Sequence, residues 1–122
     1  MKWYNGKVIH GEKMGRFLGF PTINIYTKNL SLDFKTGIYA ARVKVGEKQY
    51  AGSLFYGPRL IKKETENVLE IFLLDFEGDL YEKKIEFSPV KFIREVRDFS
   101  SLEELAKQME EDVKKTREII EN

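Results

Sequence analysis

The hydrophobic period of the chain changes once, near residue 100, and that change limits what the chain can fold into. Before it the sequence reads as short strands; after it, apolar residues recur at helical spacing. Thr36 to Val45 is the clearest alternating run, with Tyr39, Ala41, Val43 and Val45 on one face and Arg42 and Lys44 on the other. Gly46-Glu47 predicts a tight hairpin turn into a strand from Gln49 to Phe55. Lys7 to His10 predicts a first strand ending at Gly11, and Val68 to Asp75 a strongly apolar one. Glu77-Gly78-Asp79 predicts a turn, after which Leu80 to Phe87 returns with Tyr81, Ile85 and Phe87 on one side. In the tail, Leu102, Leu105, Met109, Val113 and Ile120 form an apolar stripe opposite Glu and Lys, and it reads as core packing. Ser100 followed by Glu103 is a capping-box signature at the start of that helix. Short antiparallel strands followed by one amphipathic helix predict a mainly β, α+β arrangement, with the helix covering an open part of a barrel or sheet.

The 122 residues, free of repeats and linkers, suit one domain spanning 1–122. With 21 Lys plus Arg against 20 Asp plus Glu, the formal net charge is +1, so no broad basic surface is available and no nucleic-acid partner is expected. Any anion site must be local. Cysteine is absent, which excludes disulfides, thiolate nucleophiles and Cys-ligated metals and fits a cytoplasmic setting. A single histidine, His10, excludes multi-His zinc sites. No apolar run approaches a membrane span, and Met1 to Gly6 is no signal peptide, so no membrane association is expected.

Three segments resist a purely structural reading. In Gly11-Glu12-Lys13-Met14-Gly15-Arg16-Phe17-Leu18-Gly19, exposed N–H groups between glycines can cradle phosphate oxygens, with Lys13 and Arg16 supplying charge. No Gly-Lys-Ser/Thr follows, so this is not a Walker loop, and a flexible connection is the alternative. In Phe20-Pro21-Thr22-Ile23-Asn24, proline imposes extended geometry, so Thr22 and Asn24 at i and i+2 point the same way. A hydroxyl beside an amide oxygen is a hard, neutral pair suited to Mg²⁺ on nucleotide phosphates; satisfying turn amides is the alternative. Glu70 is the only charge in Val68-Leu69-Glu70-Ile71-Phe72-Leu73-Leu74. A carboxylate in so apolar a strand is either paired with an Arg or Lys or poised as a general base.

Together these residues resemble the riboflavin kinase family. Its Gly-Arg-x-Leu-Gly-Phe-Pro-Thr-Ala-Asn pattern matches Gly15 to Asn24, and its Thr-Gly-Val-Tyr-Ala strand matches Thr36 to Ala40. The glutamate-bearing strand leading to Asp-Phe and Asp-Leu-Tyr matches Glu70 through Asp75-Phe76 to Asp79-Leu80-Tyr81. Its Leu-Arg-x-Glu-x-x-Phe resembles Ile93 to Phe99, and its closing helix Ser101 to Leu105 with Asp112 further on. Three departures stand out: Glu82 follows Tyr81 where the family usually has glycine, Gly57-Pro58-Arg59-Leu60 stands for Gly-x-Arg-Pro-Thr-Phe, and the phosphate flap that begins at Gly11 lacks one or more of the usual glycines.

The resemblance implies a six-stranded antiparallel Greek-key β-barrel with a C-terminal α-helix, and transfer of the ATP γ-phosphate to the ribityl 5′-hydroxyl of riboflavin, giving FMN and ADP. It implies Glu70 as catalytic base, Thr22 and Asn24 as Mg²⁺ ligands, and Gly11, Gly15, Arg16, Thr22, Asn24 and Tyr81 at the ATP phosphates. Arg94, Glu95 and Phe99 would bind the flavin, and a monomer is expected. Many family members also carry an adenylyltransferase domain; this chain starts just before its first strand, so only FMN formation is expected, with a fragment of a longer protein as the equal alternative. The rival reading is a catalytically weak flavin- or nucleotide-binding module on the same barrel.

Overall fold

The computed structural model describes residues 1–10 and 18–121. Gly11, Gly15 and Arg16, expected at the ATP phosphates, lie outside the described residues. Six strands precede one helix: β1 Tyr4–Ile9, β2 Ile23–Ile25, β3 Gly37–Val45, β4 Lys48–Gly57, β5 Val68–Leu73, β6 Lys84–Arg94 and α1 Leu102–Glu121. They close into a barrel in the order β1-β2-β5-β4-β3-β6, antiparallel at every pairing. Strands β3, β4 and β5 are sequential neighbours, and β6 returns beside β3, which is a Greek key.

Alternation sets the interior. Tyr39, Ala41 and Val43 on β3 face inward, joined by Val8, Leu54, Leu69, Ile71, Ile85 and Phe87, all nearly inaccessible to water. A barrel this narrow is filled by its own side chains. The connection from β2 to β3 adds Leu30, Leu32 and Phe34 against this core. Phe34 sits edge-on to Tyr4, Tyr39 and Tyr56. The β3–β4 hairpin turns at Gly46-Glu47, where Gly46 takes φ 62°, the left-handed conformation its turn position needs.

Several sequence expectations need correction. β1 begins at Tyr4 and so extends further back than Lys7. The segment Leu80 to Lys83 is a turn: the Lys83 amide donates to the Leu80 carbonyl at 3.0 Å, and the Asp79 carboxylate accepts the Tyr81 amide at 2.8 Å. Leu80 is 5% exposed, and its burial in a turn imitates a strand residue. β6 starts at Lys84 and runs to Arg94 straight through Pro89. That proline is tolerated because it faces Ala41 beside an irregularity in the β3–β6 register.

The helix is capped by Ser101, whose Oγ accepts the Glu104 amide at 3.2 Å, one residue later than the Ser100 capping box predicted. It packs against β3, β4 and β6, which accounts for the burial of Ile38 and Ala40 on the outer wall of β3. Its buried residues are Asp112, Thr116 and Ile120. The apolar stripe is therefore only partly core. Ile120 is buried, Leu102 is 47% exposed, and Leu105, Met109 and Val113 line a cleft.

Candidate active site

Because Leu69, Ile71 and Leu73 point into the barrel, Glu70 and Phe72 must point out of it. The same alternation turns Ser53 and Phe55 of β4 outward around the buried Leu54. These outward residues floor a cleft of about 120 Å³ between the barrel wall, α1 and two loops, one after β4 and one after β6. The second apolar face of β5 is thus the floor of a cleft, which is why that strand looked apolar on both sides.

Glu70 is anchored from two directions. The Thr22 hydroxyl donates to its Oε1 at 2.8 Å. Arg59 Nε lies 3.7 Å from its Oε2. On the β2–β5 ladder, Asn24 is the direct register partner of Glu70, so both side chains leave the same face of the sheet. Thr22, two residues earlier in the same extended segment, shares that face. Asn24 is 8% exposed, and Phe20 braces the segment edge-on against Phe72 with ring centroids 5.6 Å apart. A hydroxyl, an amide and a carboxylate therefore converge beside an aromatic floor.

A second polar group closes the far side. Arg94, the last residue of β6, makes a bidentate pair with Asp112 of α1, Nε to Oδ1 at 2.9 Å and Nη2 to Oδ2 at 2.8 Å. The Asp112 side chain is 5% exposed, and the fork, with Gln108 Nε2 donating at 3.1 Å, satisfies a charge that would otherwise be costly to bury. Arg97 bonds Gln108 at 2.9 Å and lies over the Phe99 ring. This network ties the loop after β6 to the helix.

Among the residues predicted from sequence, Thr22, Glu70, Arg94 and Phe99 line the cleft, and Asn24 stands beside Glu70. Tyr81 and Glu95 are not brought there. Tyr81 stacks on His10 with centroids 3.9 Å apart, in the turn before β6. Glu95 is exposed, and its backbone carbonyl accepts from Arg94 Nη1 at 3.0 Å. Sequence reasoning missed Arg59, Arg97 and the helix residues Leu105 and Met109 as cleft residues. Helical spacing announces an apolar face without saying whether strands or a ligand will cover it.

Among the described residues, no group of three or more His, Cys, Asp or Glu could hold a metal. Among the same described residues, no helix is long and apolar enough to cross a membrane.

Fold and site define a small Greek-key barrel that carries its polar constellation on the outer wall, under a C-terminal helix. The chain belongs to the riboflavin kinase family: residues 3–120 match the family described as Flavokinase, riboflavin kinase. An RNA-binding riboflavin kinase, RibR, of Bacillus subtilis (strain 168) is 40% identical over 109 residues, covering 88% of this chain and 46% of that protein. A crystal structure titled as a macrolide-efflux protein from Streptococcus pneumoniae superposes with a TM-score of 0.83 at 26% identity, covering 94% of this chain and 38% of that one. The crystal structure of riboflavin kinase from Trypanosoma brucei superposes with a TM-score of 0.66 at 25% identity, over 98% of this chain and 80% of that one. The chain spans between 35% and 46% of the length of the first curated relatives it matches.

Proposed function

We propose that this chain phosphorylates riboflavin, transferring the γ-phosphate of ATP to the ribityl 5′-hydroxyl and releasing FMN and ADP. The observation that carries the reading is the Thr22–Glu70 hydrogen bond, with Asn24 as the register partner of Glu70, at the edge of an aromatic cleft. Phe20, Phe55, Phe72 and Phe99 give that cleft the flat apolar surfaces a fused-ring substrate stacks on, and Arg94 and Arg97 give it polar edges.

In this reading the ribityl chain extends from the aromatic floor toward Glu70. As the 5′-oxygen bonds to the γ-phosphorus, the bond from that phosphorus to the β,γ-bridging oxygen breaks and ADP leaves. The hydroxyl proton passes to Glu70 Oε1 or Oε2 and then to solvent. Thr22 fixes the carboxylate, so the proton acceptor is oriented before substrate arrives. Phosphoryl transfer otherwise requires positioning and charge neutralisation more than covalent chemistry.

The donor set fits Mg²⁺ held jointly with phosphate. Thr22 spends its proton on Glu70 and keeps oxygen lone pairs, and Asn24 adds a neutral amide. With no acidic cluster among the described residues, Thr22 and Asn24 would be the side chains that hold the ion beside the nucleotide phosphates. When bound, the ion neutralises phosphate charge. The RNA binding in one relative's name gains no support from this chain's composition, whose net charge is +1, and the cleft arginines Arg94 and Arg97 are engaged by Asp112 and Gln108.

The test is riboflavin, ATP and Mg²⁺ with the purified chain, followed by chromatography. FMN should accumulate with matching ADP, and chelating the Mg²⁺ should abolish it. Binding of flavin and nucleotide with no FMN in the presence of Mg²⁺ would leave only a binding module.

A further inference from the structure

The loop after β4 places one guanidinium where the kinase reading predicts new negative charge. Gly57, at φ 156°, lets this loop press against the loop after β6; a Cβ there would meet Val96 Cγ2 at 2.7 Å. Beyond Pro58, the carbonyl of Arg59 accepts amides from Lys62 at 3.0 Å and Glu64 at 3.2 Å, so the backbone bearing Arg59 is fixed by its own short turn. The side chain reaches back to the cleft wall and is 17% exposed.

Arg59 is ion-paired with two carboxylates but hydrogen-bonded to neither. Nε lies 3.1 Å from Glu64 Oε1 and 3.7 Å from Glu70 Oε2. Neither approach has hydrogen-bond geometry, and both Nε and Nη1 are buried without an acceptor. Buried donors of a charged group are rarely left unmade, because each costs free energy. Such a group in a ligand cleft points to an acceptor that arrives with the ligand.

We propose that Arg59 is a catalytic residue that binds the oxygens of the phosphoryl group during and after its transfer to the ribityl hydroxyl. This rests on the riboflavin kinase reading and assigns a further residue to that site. If Glu70 takes the proton from the 5′-hydroxyl, the oxygen that bonds to phosphorus lies within hydrogen-bond reach of Glu70. The phosphoryl oxygens are then one bond further, within reach of a guanidinium already beside Glu70. Arginine suits the role because its planar fork pairs two phosphate oxygens at once and keeps its charge. It also offsets the repulsion between a dianionic phosphate and Glu70. Riboflavin has no phosphate, so the contact forms only as transfer proceeds.

The discriminating experiment compares dissociation constants for riboflavin and FMN, read by flavin fluorescence with MgADP present, in the wild type, Arg59→Gln and Arg59→Lys. Melting curves confirm that each variant is folded. Arg59→Gln should weaken FMN about 10- to 100-fold and leave riboflavin within about twofold, because a charge-assisted contact is lost from one ligand only. Arg59→Lys should recover part of the loss, and turnover should fall through kcat with KM for riboflavin nearly unchanged. Equal weakening of both flavins, or no weakening of either, overturns the assignment. A wild type that binds both flavins but makes no FMN sinks the kinase reading itself, and the role of Arg59 in transfer with it.

Discussion

Glu82 shows how one backbone angle explains a residue that departs from its family's habit. It sits at φ 70°, in the turn where its amide donates to the Val8 carbonyl at 2.9 Å and locks β1 to the start of β6. Glycine enters that region freely, whereas other residues meet a cost of about 1–2 kcal/mol. The family's glycine at this place is accounted for by conformation, and the Glu82 side chain, exposed and 3.5 Å from Lys7, adds little. Glu82→Gly should therefore raise the melting temperature by about 2–4 °C, since the strain removed exceeds glycine's added unfolded entropy of about 0.5–1 kcal/mol. A lower melting temperature would show that the side chain, and not the angle, matters there. Glu70 was legible at the same scale as a charge out of place, but its partner Arg59 was not. Nothing in Gly57-Pro58-Arg59-Leu60 reveals that a short turn will aim that side chain across the strands at Glu70.

At the scale of elements, the strands were readable wherever alternation was clean, as on β3, and misread where burial lacked alternation, as at Leu80. The helix was legible as a helix, while its division between core and cleft depends on contacts that only tertiary structure decides. One such tie joins α1 to the turn after β5: Arg117 donates to both oxygens of Asp75, at 2.9 and 3.1 Å. The Arg117 hydrogen bonds hold the Asp75 carboxyl below its ordinary value of 3.8. A carboxylate with a lowered folded value stabilises the protein above that ordinary value, and the contribution is lost as pH falls through the lowered one. Asp75→Asn tests this without disturbing the backbone, since asparagine also tolerates the φ of 61° found there. The stability gap between wild type and variant should be constant from about pH 5 to 7 and close below about pH 4. Because the pair is exposed, added salt should shrink the gap. Urea titrations across that range provide the check, and a gap that widens in acid would contradict the assignment.

For the whole molecule, the barrel and the cleft answer to different demands. Inward residues fill the barrel core, and the cleft is built on the outer wall, where α1 and two loops supply the remaining sides. Thr22 with Asn24, and Glu70, were each legible in sequence, the pair from extended geometry and the carboxylate from its isolation, while their meeting followed only from the family resemblance. The aromatic floor, the Arg94–Asp112 tie and Arg59 were not, because each joins segments distant in the chain. This division predicts that the central carboxylate serves chemistry more than folding. Glu70→Gln keeps the shape and an acceptor for the Thr22 hydroxyl but removes the base. With riboflavin and Mg·ATP, its kcat should fall by roughly 10²–10⁴-fold while its melting temperature stays within a few degrees of the wild type's. Near-normal FMN formation by the folded variant would contradict the account.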